Sequence, residues 1–222
     1  MRILASALAL TLLASGAAQA STTNLLTNGS FEDYTGSLNS SGWNIFSSAN
    51  VPGWTGVPNI ELQSEPTLNP DLPAQDGLIY AELDTNTNST LFQSLTLDTG
   101  VYEFSFWYSP RINGSPADTN DMSFAVDGLG ISEFGTILDT PNPTYPFREW
   151  TQVVLSFLVA SDNTNVTFTF TALGTSSGDP CGNCGALIDN VSVSPVPVPA
   201  GAVLLLGALA GLGIAGRRRV AA

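Results

Sequence analysis

The feature that most constrains this chain is a series of short segments in which apolar and polar residues alternate. In 166–173, Val166, Phe168 and Phe170 alternate with threonines. A period of two places one face of a strand in a core and the other in water. Clusters of Gly, Pro, Asn and Asp separate these segments, and no stretch keeps a period near 3.6. The chain is therefore predicted to be all-β.

Eight strands are predicted, and they cover 78–83, 91–97, 101–108, 122–126, 131–138, 151–159, 166–173 and 186–193. Eight or more antiparallel strands in a chain of 222 residues indicate a two-sheet antiparallel jelly-roll sandwich. Within 101–108, one face carries Tyr102, Phe104, Phe106 and Tyr108.

The segment 28–73 is rich in Gly, Pro, Ser and Asn. We expect it to form long loops with short strands at the edge of the sandwich. Two tryptophans, Trp43 and Trp54, lie in it. We expect each indole to fill the core beneath a loop, and the alternative is an exposed platform for a sugar.

The two ends of the chain differ in composition from the predicted sandwich. Residues 1–20 carry Arg2, an apolar run and the sequence Ala-Gln-Ala, the pattern of a signal peptide. Residues 195–222 contain a Pro-rich spacer, an apolar run at 200–216 and then Arg217, Arg218 and Arg219. We expect export through the Sec pathway, a jelly roll at 21–194, and a transmembrane helix in the inner membrane with its arginines on the cytoplasmic side.

The predicted sandwich is strongly acidic. All nineteen Asp and Glu residues fall within 21–194, with only Arg111 and Arg148 to balance them and no Lys or His, so its net charge is −17. Such a field repels phosphate backbones, which argues against binding to nucleic acid.

Asp189 is a carboxylate within the apolar closing strand, and it needs a partner. The candidate is Glu32, at the end of segment 24–32, and the two ends of the domain would close the sandwich if they are neighbours. Two buried carboxylates repel each other unless a cation lies between them. With backbone carbonyl oxygens they form the kind of ligand set that Ca²⁺ prefers.

Arg111 is one of two cations in the predicted sandwich, so an ion pair is expected, with Asp84 or Asp118 as its partner. In the alternative, Arg111 and Tyr108 together bind a sugar hydroxyl or a uronate carboxylate.

The polar segment 84–88 is expected to form a turn, and the alternative is a ligand-binding loop that includes Asp84 and Asn88.

Cys181 and Cys184 have the spacing of a redox motif, but a strand follows them and no helix is predicted to lower a thiol pKa. A local disulfide is the prediction for an oxidising periplasm.

The absence of His and of a Gly-x-Ser-x-Gly motif removes the usual catalytic triads. A glycosidase with a pair of carboxylates stays open.

The C-terminal tail resembles the sorting signal of PEP-CTERM-type proteins, in its VPLPA variant. The motif reads Val196, Pro197, Val198, Pro199 and Ala200, with Val198 where that variant has Leu, and the arginine cluster ends it. The resemblance implies recognition by an exosortase-like membrane transpeptidase of a Gram-negative bacterium. It also implies delivery to the cell surface or to an extracellular polysaccharide matrix.

The predicted sandwich resembles the galactose-binding-like jelly rolls of carbohydrate-binding modules. The resemblance is carried by four segments, Asn-Gly-Ser-Phe-Glu at 28–32, Gly-Trp at 42–43, Gly-Val-Tyr at 100–102 and Ile-Asp-Asn-Val at 188–191. It implies a structural Ca²⁺ held by the side chains of Glu32 and Asp189, with carbonyl oxygens around Asn28 and Ser30.

A third similarity is to secreted bacterial jelly rolls with the same kind of tail, and its residues are Glu82, Asp84, Asn88, Gln93 and Arg111. No biochemical role follows from it.

Together these patterns predict a non-enzymatic, surface- or matrix-directed jelly roll that binds an extracellular polysaccharide. One alternative is a structural matrix or adhesion protein without a discrete ligand site, and a more distant one is a polysaccharide hydrolase. Exposed aromatic residues around Tyr108 and Arg111 would favour the glycan-binding protein. A surface without a cleft would favour the structural protein, and two facing carboxylates in a groove would favour the hydrolase.

Overall fold

The computed structural model describes residues 23–64, 73–111, 120–130, 133–137, 149–174 and 185–197. The compact unit to which nearly all of them belong runs from Thr22 to Val196. These residues form eleven strands: β1 (Trp43–Phe46), β2 (Thr55–Val57), β3 (Ile60–Ser64), β4 (Ile79–Glu82), β5 (Thr90–Leu97), β6 (Gly100–Ser109), β7 (Met122–Asp127), β8 (Glu133–Ile137), β9 (Thr151–Val159), β10 (Thr164–Ala172) and β11 (Leu187–Pro195).

The strands form two antiparallel sheets in a jelly-roll-like arrangement. The six-stranded sheet has the order β1-β3-β4-β11-β6-β9, and the five-stranded sheet has the order β2-β5-β10-β7-β8. The all-β class and the two-sheet architecture predicted from the sequence are confirmed. All eight predicted strands are present, and β9 has the predicted bounds.

The core lies between the two sheets and is dominated by phenylalanine. Phe104 and Phe106 of β6 face Phe168 and Phe170 of β10, with ring centroids 5.0 Å apart for Phe104 and Phe168 and 4.8 Å apart for Phe106 and Phe170. These four side chains are buried, as the alternation in the sequence predicts. Each buried ring contributes about 1.5–3 kcal/mol through the hydrophobic effect, and each aromatic pair adds about 0.5–1.5 kcal/mol.

The N-terminal segment lies beside β11, so the predicted closure of the sandwich is confirmed. Leu25 N donates a hydrogen bond to Val193 O (2.8 Å), and Val191 N donates one to Gly29 O (2.9 Å). The side chain of Asn24 extends this pairing, because its Nδ2 donates to Val191 O and its Oδ1 accepts from Val193 N. A Cβ at Gly29 would collide with Val191 O, which explains why glycine is needed there.

The two tryptophans of the N-terminal third have different environments. Trp54 is 2% exposed, packs against Phe31 and Phe170, and donates from Nε1 to Asn28 O (2.9 Å). Trp43 is partly exposed. It is paired in register with Gln63, so it lies on the outer face of the six-stranded sheet, the face turned away from the core. The core-filling interpretation is therefore right for Trp54 and wrong for Trp43.

Several predictions concern residues outside the described ranges. They are the signal peptide, Asp118, Cys181 and Cys184, and the sorting-signal residues from Val198 onward, including the apolar run 200–216 and the arginine cluster. Within the described ranges, no helix is long and apolar enough to span a membrane. The last strand runs to Pro195, and Val196 N still donates to Val101 O (2.8 Å).

Candidate functional site

A cluster of polar side chains lies on the outer face of the six-stranded sheet, the face turned away from the core. It comprises Glu61 and Gln63 of β3, Glu82 of β4, and Asp84 and Arg111, which lie two residues after the ends of β4 and β6; we call it the outer-face cluster. Leu62 and Ala81 are paired in register and point into the core, so Glu61, Gln63 and Glu82 point away from it. The alternation of β3 and β4 thus assembles the cluster.

An ion pair between Arg111 and Glu82 forms its centre. Arg111 Nη1 donates to both carboxylate oxygens of Glu82, at 2.6 Å and 2.8 Å, and Gly185 N donates to Glu82 Oε1 at 2.7 Å. Gln63 Nε2 donates to Glu61 Oε1 (3.0 Å) and also to Glu82 Oε2. The amide of Gln63 therefore connects the two glutamates.

Burial controls the protonation of this cluster. It raises the pKa of Glu82 to about 7, although the charge and hydrogen bonds of Arg111 oppose the shift. Burial, and then the charge of Glu82, raise the pKa of Glu61 to about 9. Burial raises the pKa of Asp84 to about 6. Near neutral pH, Glu61 is therefore protonated, and the charge of Arg111 is balanced by its partner Glu82 together with the nearby Asp84.

Several oxygen atoms of this face are buried without a hydrogen-bond partner among the described residues. They are Glu61 Oε2, Gln63 Oε1, Asp84 Oδ1 and Ser109 Oγ. A buried polar atom without a partner costs about 1–3 kcal/mol. Buried polar atoms without a partner require an explanation, and one is a ligand, ion or water that is absent from this structure.

Aromatic side chains flank the cluster on the same sheet. Trp43 lies in register with Gln63 on one side, and Trp107 of β6 lies in register with Asp189 on the other. Trp150, just before β9, packs edge-on against the buried ring of Tyr80 (centroids 5.9 Å apart) and donates from Nε1 to Pro73 O (2.8 Å).

A second group of carboxylates holds the segment 75–79, which leads into β4. Asp189 Oδ2 accepts hydrogen bonds from Gln75 N (2.7 Å) and Asp76 N (3.0 Å), and Glu32 Oε1 accepts from Leu78 N (2.7 Å) and Ile79 N (2.6 Å). The structure thus brings both predicted calcium ligands to one short segment.

The surroundings of these carboxylates differ from the predicted set of ligands. Burial raises the pKa of Asp189 to about 7, against the hydrogen bonds that it accepts from Asp76, Asn190 and Gln75. Ser30 Oγ donates to Asp76 Oδ2 (2.6 Å). The carbonyl oxygen of Asn28 already accepts hydrogen bonds from Phe31 N and from Trp54 Nε1. Among the described residues, no three Asp, Glu, His or Cys side chains converge as a metal site would require.

The predicted pair of Tyr108 and Arg111 does not form one surface. Tyr108 is 3% exposed, belongs to the core between the sheets, and donates from its hydroxyl to Asn120 O (3.2 Å). Arg111 points to the outer face, where it binds Glu82. A phenol ring within the core cannot stack on a ligand outside the sheet, so that part of the prediction is wrong.

The predicted ion pair of Arg111 is confirmed with a different partner, Glu82, rather than Asp84 or Asp118. The charge of Arg111 still reaches Asp84, whose pKa it lowers against the effect of burial. Segment 84–88 forms the predicted polar turn, in which Thr85 N donates to Thr87 O (3.1 Å) and Asn88 Nδ2 donates to Gly174 O (2.5 Å).

Sequence reasoning missed Glu61 and Gln63 and gave Glu82 no role. A weak signal was present, because residues 60–63 and 81–82 alternate between apolar and polar residues, but each run covers only a few positions. Period-two alternation in two neighbouring strands predicts that their polar residues share a face. Gln93, in contrast, has a structural role, since it exchanges two hydrogen bonds with the backbone of Thr27.

No protein-family model matches the chain, and no curated protein matches it. Among solved structures, it is similar to TmCBM61 in complex with β-1,4-galactotriose, with 17% identity over 79% of this chain and 100% of that chain and a TM-score of 0.49. It is also similar to a cyclase from Fischerella sp. TAU, with 13% identity over 78% and 97% of the two chains and a TM-score of 0.49. A third is the CBM22-1 xylan-binding domain of Paenibacillus barcinonensis Xyn10C, with 15% identity over 77% and 93% and a TM-score of 0.40.

Proposed function

We propose that this protein binds an extracellular glycan, without catalysis, on the outer face of its six-stranded sheet. The observation that carries the proposal is the outer-face cluster, with its unpartnered oxygens between Trp43 and Trp107. Sugars present many hydroxyl donors beside apolar ring faces. Binding sites for such ligands combine aromatic walls with a few convergent polar groups.

The spacing of the two tryptophans suits a chain of several sugar rings. Four strand-to-strand steps separate β1 from β6 in this sheet. At a strand spacing of about 4.8 Å, Trp43 and Trp107 are roughly 19 Å apart across the strands. Hydroxyl groups of a glycan that crosses the strands between them would meet the unpartnered oxygens of Glu61 and Gln63.

The charge of the cluster favours a neutral glycan over a polyuronate. Arg111 is engaged by both oxygens of Glu82, and the other ionisable groups of the cluster are carboxyls. A uronate would therefore meet acidic groups without a cation available to it. Glu61, Gln63 and Glu82 are at most 2% exposed, so a glycan reaches their oxygen atoms only if the atoms that cover them move.

The test is affinity electrophoresis of the purified full chain, in mild detergent, against neutral galactan and xylan and against polygalacturonate. We expect saturable retardation by a neutral polymer, and its loss in Trp43→Ala and in Gln63→Leu. Ser94→Ala, on the outer face of the five-stranded sheet, is the matched control and should bind normally. A folded protein that no polymer retards, or binding that survives both substitutions, would refute the proposal.

A hydrolase is the runner-up because Glu61 and Glu82 lie together in the cluster. The general-acid and nucleophile or base roles of a glycosidase need two carboxyls that reach substrate and water. Here Glu82 is held by Arg111 and Gly185, and both glutamates are bridged by Gln63, which supports a binding role. Release of reducing sugars from a bound polymer would favour the hydrolase.

For Asp189 and Glu32 we propose a structural Ca²⁺. The proposal is supported by their convergence on segment 75–79 and by the cost of burying an ionised Asp189, whose contacts among the described residues include no cationic side chain. The three hydrogen bonds to Asp189 and the occupied Asn28 carbonyl mean that any further ligands would have to come from other oxygen atoms. We expect Ca²⁺ to raise the melting temperature at pH 8 and Asp189→Ala to abolish that response. A wild-type melt that is indifferent to chelator would exclude the ion.

We also propose the localisation that the tail implies. The protein is exported, anchored by its C-terminal helix, and processed by an exosortase-like transpeptidase for delivery to the surface or matrix of a Gram-negative bacterium. Because Val196 still bonds to β6, the Pro-rich spacer begins directly at the end of the sandwich. Mass spectrometry of surface material should find a C-terminus near Pro199 and Ala200. Recovery of the intact tail from the cell surface would contradict the processing step.

A further inference from the structure

We propose that two copies of this chain pair along β9 and form a continuous antiparallel sheet. The starting observation is an asymmetry among the sheet edges. The two sheets end in β1, β9, β2 and β8. Three of these edge strands have three to five residues, whereas β9 has nine. In the described part of the chain, β9 pairs only with β6.

Side-chain exposure shows that β9 is open along its length. On the outer face, Val154 is 51% exposed and Leu158 is 62% exposed. Of the residues of β6 paired with this face, Glu103 and Ser105 are half-buried, whereas Val101 is 45% exposed. On the inner face, Val153 and Leu155 are half-buried, whereas the neighbouring phenylalanines of β6 are fully buried. Among the described residues, no strand pairs with the side of β9 away from β6.

The composition of β9 lacks every usual protection of a free edge. Its sequence, Thr-Gln-Val-Val-Leu-Ser-Phe-Leu-Val, contains no charged residue, no proline and no glycine. Natural proteins protect long edges with charges, proline, bulges or short strands, because unpaired N–H and C=O groups are a template for another strand. About half of the backbone groups of an edge strand point away from its neighbour, so about four residues of β9 offer unpaired groups.

The net charge of the sandwich restricts where a second copy can approach, and it leaves this edge open to one. Two domains of net charge −17 repel each other wherever carboxylates face one another. The uncharged β9 is the long edge on which two copies can approach without such contacts. A two-fold axis at Leu155 places Val154 opposite Ser156 of the second copy, with no acidic residue in the seam. Such an interface is self-complementary, as a closed dimer requires.

Sedimentation velocity of the full chain in mild detergent, over a range of concentrations, tests the pairing. We expect a species of twice the 23.2 kDa chain mass, and a dissociation constant that falls with added salt because salt screens the repulsion. The double substitution Val154→Glu and Leu158→Glu places like charges in the seam and should leave only monomer. Val101→Glu is the matched control, since Val101 is exposed on the same face but belongs to β6, and it should dimerise normally.

Hydrogen exchange provides a readout that does not depend on the variants folding. In the wild type, amides of β9 that exchange quickly at low concentration should become protected at high concentration, while amides of β8 should not change. A monomer at all concentrations, or a dimer that persists in the folded double variant, would overturn the proposal. The pairing does not depend on glycan binding, so either proposal can fail without the other.

Discussion

Replacing Arg111 by methionine tests how the outer-face cluster is held together. The guanidinium and the Glu82 carboxylate are both buried, and two contacts of 2.6 Å and 2.8 Å join them. Methionine keeps much of the aliphatic length and removes the charge. Removal of one partner of a buried ion pair costs about 3–5 kcal/mol, because it leaves the other charge without compensation. For a domain with a total stability of about 5–15 kcal/mol, this is a large fraction.

The cost should depend on pH in a direction that the pKa of Glu82 determines. The folded pKa of Glu82, about 7, lies above its ordinary value of 4.5, so protonation of Glu82 favours the folded state. That contribution is present at low pH and is lost as the pH rises through about 7. Without Arg111 the folded pKa rises further, so the loss is larger at pH 8. At pH 5, Glu82 is neutral with or without Arg111, so the cost should be lower there than at pH 8, by at most about 1.4 kcal/mol for the one pH unit between the pKa of about 7 and pH 8.

The assay is urea unfolding followed by tryptophan fluorescence at pH 5 and pH 8. The double variant Arg111→Met with Glu82→Gln removes both charges and should recover most of the loss at pH 8. Glu103→Gln is the control, since Glu103 is a half-exposed acid of the same sheet, and its effect should stay within about 0.5 kcal/mol. The reasoning is refuted if Arg111→Met costs less than about 1 kcal/mol at pH 8, or if its cost is the same at both pH values.

Two further predictions concern segment 75–79. Gly77→Ala should cost well over about 1 kcal/mol, because Gly77 has a φ of +73° and a Cβ there would collide with the Glu32 carboxylate. Gly130→Ala is the control, since Gly130 has a φ of +78° with open space around it, and it should cost only the backbone strain of about 1 kcal/mol. Equal losses of stability in thermal melts of the two variants would contradict this prediction. Burial raises the folded pKa of Asp189 from 3.8 to about 7. With chelator present, protonation of Asp189 should therefore stabilise the fold by about 4 kcal/mol at low pH, and this contribution is lost as the pH rises through 7. Asp189→Asn should remove this dependence of the unfolding free energy on pH, and an unchanged dependence between pH 4 and pH 8 would show that other groups cause it.

The strands could be predicted because their signal is local. In β10, each core residue is separated from the next by a threonine that faces outward, and this pattern fixes both the strand and its buried face. The strands of segment 28–73 were harder to place. β1, β2 and β3 have three to five residues each, and Gly and Pro surround them, so their alternation covers too few positions to stand out.

The site was harder to predict because it depends on which strands are neighbours. Glu61 and Glu82 meet only because β3 pairs with β4 in one register, and the contact with Arg111 further requires the end of β6 to lie near β4, across β11. The error at Tyr108 was avoidable from the sequence. Tyr108 shares its period-two face with Phe104 and Phe106, so a core position for these phenylalanines already implied one for Tyr108.

The two groups of carboxylates are connected through the start of β4. Glu32 binds the N–H of Ile79, the first residue of β4, and Asp189 binds the N–H groups of Gln75 and Asp76 just before it. Glu82 is the last residue of the same four-residue strand. A change of charge at Asp189, by a proton or by a cation, therefore acts on the segment that positions Glu82. Because the two groups share one short strand, the free-energy effects of substitutions in them are not expected to add.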